Sequence, residues 1–259
     1  MKKIAIILSI AAAVCCGCWK TEGFVMPQYG IFSSWDFATR NVLTNYVELA
    51  FISNAWINGD DSVRRAVEDE YLPYQRIRHE GGNEYGIYNG STLLLLINTG
   101  GKAIDEAGAD WLVTNYQGGS YYDGTTPIFC YSGKHTRLEI RSTGINEWNV
   151  SLDSASCDGS TSDWTISVPG SETPVSLSDV PYTFSGSGIY MLDGTSVDGN
   201  YTRSPITMRY TVTEPLHHKV ETPATFESGI LDIIASKADC DDKTVRIDFS
   251  SNDYILTSR

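Results

Sequence analysis

Residues 91–99 read STLLLLINT, and the run 93–97 within them is apolar at every position. A short run of this kind, preceded by the turn-forming pair Asn89-Gly90, is typical of a strand that is buried on both faces. Such a strand must be covered on both sides. We therefore expect other strands against one face and helices against the other.

The residues before this strand predict those helices. Apolar residues recur at helical spacing between positions 35 and 56, behind a potential N-cap at Ser33-Ser34. An Asn-Gly pair and three capping residues then predict a turn and a second helix, VRRAVEDEYL, which stops before Pro73. The sequence thus predicts a helical hairpin over residues 34–72.

The residues after this strand alternate between apolar and polar. The segments HTRLEIRS, WNVSL, WTISV, ITMRYTV and VRIDF each place one face towards a core and the other towards solvent. Short turns between such strands indicate antiparallel meanders. The predicted fold class is therefore α+β and β-dominated: an N-terminal helical hairpin packed on an antiparallel β-sandwich or partly closed barrel, in a single domain over residues 33–259.

An acidic residue, a Trp, any residue and then Val or Ile occur together three times, at Trp111, Trp148 and Trp164. The spacings are unequal, which excludes a propeller or solenoid period. We interpret each Trp as the opening residue of a strand that fills one end of the core. The alternative is a set of aromatic platforms for a sugar ring.

The N-terminus carries the basic pair Lys2-Lys3, an apolar stretch over residues 4–14, and then cysteines in AAAVCCGCWK. The apolar stretch is shorter than the roughly 20 residues that span a membrane, and it is typical of a signal peptide. Its end resembles a bacterial lipoprotein signal, in which a cysteine after small residues is acylated. The resemblance implies that Cys18, which follows Gly17, carries the lipid.

This resemblance implies a signal peptide over residues 1–17 and a tether over residues 18–32. It also implies an outer-membrane lipoprotein that faces the periplasm or the cell surface, with the membrane as a partner through the lipid anchor. The chain resembles small uncharacterised lipoproteins of glycan-degrading Gram-negative anaerobes. The alternative for the cysteines is that they are apolar residues of an ordinary signal peptide.

The charge balance disfavours one class of partner. The chain has 32 acidic and 19 basic residues, for a net charge of −13, and no arginine-rich segment. A surface of this kind repels nucleic acid, so we expect no nucleic-acid partner.

Cys130, Cys157 and Cys240 would remain after processing. Only one disulfide can then form, and we expect it between Cys157 and Cys240, which both lie in polar turn segments. Cys130 lies in a predicted strand and would stay buried and inert. The alternative is that all three thiols are reduced.

Catalytic and metal-binding patterns are largely missing from the sequence. The four histidines show no i, i+4 spacing, and no nucleophile elbow, phosphate-binding loop or dinucleotide fingerprint is present. Three loops carry carboxylates that could bind Ca²⁺, at 58–62, 193–200 and 239–242, but none reproduces an EF-hand, and turn formation explains them. We expect no cofactor, and Ca²⁺ is the only candidate ion.

Three functions remain. The first is a non-catalytic, lipid-anchored binding module with a glycan ligand, in which Tyr116, Tyr121 and Tyr122 of the segment NYQGGSYYDGTT could stack on a sugar. The second is a structural or assembly lipoprotein that contacts an envelope partner through the helical hairpin. The third is a polysaccharide hydrolase, which would need two facing carboxylates about 5–10 Å apart.

Overall fold

The computed structural model describes residues 28–115, 137–153, 160–170, 172–195, 202–220, 226–237, 241–250 and 255–258. The helices are α1 (Gln28–Val42), α2 (Leu49–Asn58) and α3 (Asp61–Tyr71), and a π-helical segment (Leu43–Glu48) joins α1 to α2 without a break. The strands are β1 (Arg76–Gly81), β2 (Glu84–Asn89), β3 (Thr92–Asn98), β4 (Asp110–Asn115), β5 (Arg137–Gly144), β6 (Glu147–Asp153), β7 (Thr161–Ser167), β8 (Tyr182–Thr195), β9 (Thr202–His218), β10 (Phe226–Lys237), β11 (Lys243–Asp248) and β12 (Ile255–Ser258).

These strands lie in one antiparallel sheet whose spatial order is the chain order, from β1 to β12. Tight turns join β1 to β2 at Gly82 (φ 57°) and β2 to β3 at Gly90 (φ 60°), where the left-handed backbone favours glycine. In the described part of the chain, β1 and β12 each pair with one strand only, so the sheet is open. The predicted α+β, β-dominated class with helices packed on an antiparallel sheet is confirmed.

The apolar positions of the strands share one face of the sheet. Val150 of β6, for example, lies opposite Ile140 of β5 and Trp164 of β7, and all three are buried. We call the continuous run of α1, the π-helical segment and α2 the long helix. Its buried side chains and those of the sheet form one hydrophobic cluster. The helix therefore shares one apolar core with strands from both halves of the sheet.

The long helix crosses the inner face of the sheet. Its first part, α1, contacts β10, β11 and β12. Further along, the Tyr46 hydroxyl accepts a hydrogen bond from Asn115 of β4 (2.9 Å), and Phe51 packs edge-on against Trp148 of β6 (4.8 Å between ring centroids). The sequence placed the helices near β3, and the Tyr46 contact lies beside that strand, since Asn115 pairs with Leu95 of β3. The other contacts extend to β6 and to the last strands.

Helix α1 begins at Gln28, earlier than the Ser33-Ser34 N-cap that the sequence suggested. Ile31 and Phe32 are buried, and the Phe32 ring lies 6.0 Å from the ring of Phe249 at the end of β11. Residues 28–32 of the predicted tether are therefore part of the folded domain. Burial of apolar side chains against the sheet extends the helix past a local capping signal.

The turn between α2 and α3 forms as predicted, and close packing of the chain explains the glycine at position 59. The Asp60 carboxylate caps α3 by accepting hydrogen bonds from the backbone N–H groups of Ser62 (2.9 Å) and Val63 (3.0 Å). Gly59 has an extended backbone with φ −80°, and a Cβ at this position would lie 2.7 Å from the Ala55 carbonyl oxygen. A larger residue would clash at this position, so the close packing of the turn between α2 and α3 requires glycine.

A buried hydroxyl network ties α1 to the sheet. The Tyr210 hydroxyl accepts a hydrogen bond from Trp164 Nε1 (2.6 Å) and donates one to Ser162 Oγ (2.7 Å). Its ring stacks on Tyr190 at 5.0 Å, and the Tyr190 hydroxyl is hydrogen-bonded to Thr39 Oγ1 of α1 (3.1 Å). These side-chain polar groups are paired inside the core, so removing one leaves its partner buried without a hydrogen bond.

We predict that Tyr210→Phe lowers the free energy of unfolding by about 1–3 kcal/mol, because the Trp164 N–H loses its acceptor in the core. Urea unfolding followed by circular dichroism measures this change. Tyr74→Phe is the matched control, since the Tyr74 side chain is 83% exposed. Equal stability of the wild type and Tyr210→Phe would contradict the prediction.

Candidate functional site

An open cleft of about 130 Å³ lies between the long helix and the ends of β8, β9 and β10. We call it the helix–sheet cleft. The helix contributes Trp35, Asp36, Thr39, Arg40, Leu43, Thr44 and Glu48. The opposite wall consists of Leu177 and Ser178 from the β7–β8 connection, Tyr182, His218 and Phe226.

The π-helical segment shapes the helix side of this cleft. In an α-helix, residues five apart are separated by about 140° around the axis, since 3.6 residues make one turn. The i→i+5 hydrogen bonding of a π-helix widens the turn, and it brings Leu43 and Glu48 to the same side. Segments of this kind are rare and occur frequently at functional sites.

Asp36 and Arg40 form a two-point ion pair across one turn of α1. Arg40 Nε donates to Asp36 Oδ1 at 2.9 Å, and Arg40 Nη2 lies 2.7 Å from Asp36 Oδ2. Burial raises the pKa of the Asp36 carboxyl above its ordinary value, although Arg40 opposes this effect. The pair thus presents a fixed carboxylate and guanidinium at the mouth of the cleft.

Glu48 holds the β7–β8 connection against the helix. Its carboxylate accepts hydrogen bonds from the Leu177 backbone N–H (2.8 Å), from Ser178 Oγ (3.3 Å) and from Ser176 Oγ. Burial nevertheless raises the pKa of this carboxyl, and the three hydrogen bonds oppose the change. Since its oxygens are occupied by the connection, Glu48 acts as a structural clamp on the cleft wall.

Tyr182 and His218 form the floor on the sheet side, with ring centroids 4.4 Å apart and an interplanar angle of 18°. His218 Nδ1 lies 3.3 Å from the Val180 carbonyl, which can only accept, so this nitrogen carries a proton. Burial lowers the pKa of His218 and favours the neutral imidazole. Burial and then the charge of Glu48 raise the pKa of Tyr182, so its hydroxyl stays protonated.

Trp35 is the exception among the tryptophans of the described residues. The indole N–H groups of Trp56, Trp111, Trp148 and Trp164 each donate to an oxygen at 2.6–3.0 Å. Trp35 is fully buried and lines the cleft, and its Nε1 has no hydrogen-bond partner in the described part of the chain. An unpaired buried donor costs about 1–3 kcal/mol, which a bound acceptor could recover.

The carboxylates of the cleft do not form a hydrolytic pair. Asp36 and Glu48 lie twelve positions apart on one continuous helix, which would separate their backbones by about 18 Å at the α-helical rise of about 1.5 Å per residue, and by less across the wider π-helical turn. Glycosidase carboxylates lie about 5–10 Å apart. Glu139 and Asp248 lie on β5 and β11, where the first pairs with Arg141 (2.8 Å) and the second accepts from the Ser250 backbone N–H (2.9 Å).

The three motif tryptophans are confirmed as core residues. Trp111, Trp148 and Trp164 are buried with their rings on the inner face. Trp111 and Trp148 are the second residues of β4 and β6, whereas Trp164 lies in the middle of β7 and does not open its strand. They therefore do not form sugar platforms on the surface. Their N–H groups instead bind the Lys102 carbonyl, the Ile104 carbonyl and the Tyr210 hydroxyl.

Several predicted site residues lie outside the described residues, and their roles stay predictions. They are Cys18, Tyr116, Tyr121, Tyr122, Cys130, Cys157 and Cys240. Of the carboxylate loops, the one at 58–62 uses Asp60 to cap α3. No group of three His, Cys, Asp or Glu side chains in the described ranges could hold a metal ion.

Sequence reasoning missed the helix–sheet cleft. Two signals were present locally: Asp36 and Arg40 have i, i+4 spacing, and His218 is next to a second histidine. Neither signal is specific, because i, i+4 ion pairs are common on exposed helices. What distinguishes these residues is their partial burial beside an unpaired indole N–H.

Comparisons with family models, curated proteins and solved structures gave no match. The site is thus argued from its geometry and chemistry alone. None of the helices in the described part of the chain is long and apolar enough to cross a membrane.

We predict that the charge of Glu48 makes stability fall as pH rises. Its pKa in the folded state lies above the ordinary value of 4.5, so the folded state binds this proton more tightly than the unfolded state. Stability from this group is therefore complete below the unfolded pKa and is lost as pH rises through the folded pKa. Relative to Glu48→Gln, the wild type should lose stability as pH rises above the ordinary pKa of 4.5.

Urea unfolding at a series of pH values measures the difference between the two proteins. Glu172→Gln is the control, since Glu172 lies in the same connection and is exposed. A difference between wild type and Glu48→Gln that does not change with pH would show that Glu48 is equally charged in both states.

Proposed function

We propose that this chain is a non-catalytic, lipid-anchored binding protein of the bacterial cell envelope, with the helix–sheet cleft as its binding site and a glycan as its ligand. The single observation that carries the proposal is that Trp35 lines an open cleft while its buried Nε1–H has no hydrogen-bond partner in the described residues. A ligand oxygen at this position would satisfy the donor. The other groups of the cleft supply the remaining contacts.

The chemistry of the cleft suits a hydroxylated ligand. Asp36 and Arg40 offer an acceptor and a donor side by side, and Thr44 and Ser178 add hydroxyl groups. Leu43, Leu177 and Phe226 supply apolar surface for the C–H face of a ring. A few convergent polar groups on apolar walls are typical of small-molecule sites.

The non-catalytic part of the proposal rests on the separation of Asp36 from Glu48 and on the use of Glu48 as a clamp. The helical hairpin gives the assembly alternative little support. Val67 is the buried apolar residue of α3, and the exposed side of this helix carries mainly charged residues. An apolar docking surface of useful size would need more exposed apolar area.

The envelope location is proposed from the N-terminal sequence. A lipid on Cys18 would hold the domain at the outer membrane, facing either the periplasm or the cell surface. Two or more acyl chains give stable anchoring, whereas one is marginal.

The binding proposal is tested with the mature chain and a panel of neutral and acidic oligosaccharides, by isothermal titration calorimetry. We expect at least one glycan to bind, and Arg40→Gln to weaken its binding at least tenfold. Arg246→Gln is the matched control, because its side chain is 38% exposed and paired with Asp232, much as Arg40 is 39% exposed and paired with Asp36. Absence of binding across the panel would refute the proposed function.

The anchor is tested in the native host with an alkyne-labelled fatty acid. We expect label on the wild type and none on Cys18→Ser, which should leave the membrane fraction because the acylated sulfur is lost. A Trp19→Phe variant controls for changes near the cleavage site. Label that persists in Cys18→Ser would place the lipid on another residue.

A further inference from the structure

We propose that the helix–sheet cleft binds a single neutral sugar residue through adjacent hydroxyl groups held by Asp36 and Arg40, and that it discriminates against acidic sugars. This inference rests on the proposed function and specifies the ligand of the same cleft. It depends on the charges, the free hydrogen-bonding positions and the size of the site.

The charges at the cleft are unbalanced. Asp36 and Glu48 are carboxylates, Arg40 is the one Lys or Arg side chain among the described lining residues, and His218 is held neutral by burial. The guanidinium is already paired with Asp36. A uronate or a sulfated sugar would therefore bring a further negative charge towards two carboxylates without an uncommitted cation to receive it.

The free hydrogen-bonding positions of the ion pair match a hydroxyl group. Arg40 uses Nε and Nη2 for Asp36, which leaves three of its five N–H bonds. Each Asp36 oxygen accepts one of these bonds and retains capacity for another. A sugar hydroxyl can donate to Asp36 while its neighbour accepts from Arg40, whereas a carboxylate ligand can only accept and would compete with Asp36.

Two further lining side chains, Trp35 and Tyr182, carry hydrogen-bond donors. The Trp35 N–H has no partner in the described residues, and the Tyr182 hydroxyl stays protonated beside Glu48 and Arg40. Hydroxyl oxygens of a neutral sugar can accept from both. Glu48 contributes indirectly, since its hydrogen bonds to the β7–β8 connection position Leu177 and Ser178 in the wall.

The size of the cleft restricts the ligand to one ring. Its volume of about 130 Å³ is below the roughly 300–1,000 Å³ of sites that hold drug-sized ligands. One sugar residue can enter from the open side, but an oligosaccharide can place only one of its residues inside. The terminal residue of a glycan, or a free monosaccharide, is the ligand that fits.

The test uses protein-observed NMR on the mature chain with two matched pairs of probes. These are methyl β-glucoside against methyl β-glucuronide, and methyl β-galactoside against methyl β-galacturonide. We expect a neutral member to shift the Arg40 Nε–H and Trp35 indole N–H resonances, which Arg40→Gln and Trp35→Phe assign. The acidic partner should bind at least tenfold more weakly.

Two variants separate loss of recognition from loss of folding. Arg40→Lys keeps a positive charge but loses the planar fork, so it should weaken neutral-sugar binding at least tenfold while its unfolding curve stays close to that of the wild type. Arg246→Gln should leave binding unchanged. Unchanged affinity in Arg40→Lys would overturn the proposed role of the ion pair.

The remaining outcomes distinguish this inference from the proposed function. If an acidic probe binds as tightly as its neutral partner, or if neutral probes shift resonances elsewhere on the domain, the inference is wrong and the glycan-binding function survives. If neither these probes nor the oligosaccharide panel binds, both are wrong.

Discussion

The long N-terminal helix covers the apolar face of an open sheet, and the apolar side chains buried between the two form the core of the domain. Trp35, Val42 and Phe51 lie along one side of the helix and are fully buried. Burying one large apolar side chain contributes about 1.5–3 kcal/mol. Without the helix, much of the apolar inner face of the sheet would be exposed to water, so the helix and the sheet stabilise each other.

Apolar burial has no direction, and polar contacts fix how the helix lies. Thr39 binds the Tyr190 hydroxyl, Tyr46 binds Asn115, and the Asn54 side-chain oxygen accepts from the Ile104 backbone N–H at 2.9 Å. Each contact joins a different turn of the helix to a different part of the sheet. Because an unpaired buried polar group is costly, a sliding helix would lose several such bonds at once. The helix therefore has one favoured position.

The helix–sheet cleft lies where the long helix and the sheet do not pack completely against each other. The π-helical segment turns Glu48 towards the β7–β8 connection, which leaves an open space in front of Asp36 and Arg40. Trp35 faces the core with its rings, 6.0 Å from Tyr210, yet its N–H has no partner in the described part of the chain. Among the described tryptophans, Trp35 is therefore the one whose indole N–H is unpaired.

Local sequence patterns were enough to locate most helices and strands. Alternation of apolar and polar residues located β5, β6, β7 and β11, and it assigned their inward residues correctly, because the two-residue period of a strand is set by its backbone. Helical spacing and the Asp60 cap located both helices, because the 3.6-residue period of a helix is likewise set by its backbone. The tertiary structure decided the rest: the start of α1 at Gln28, the order of all strands in one sheet, and the cleft that unites Asp36 with Tyr182 and His218. These features depend on contacts between residues far apart in the chain, and local periodicity carries no information about such contacts.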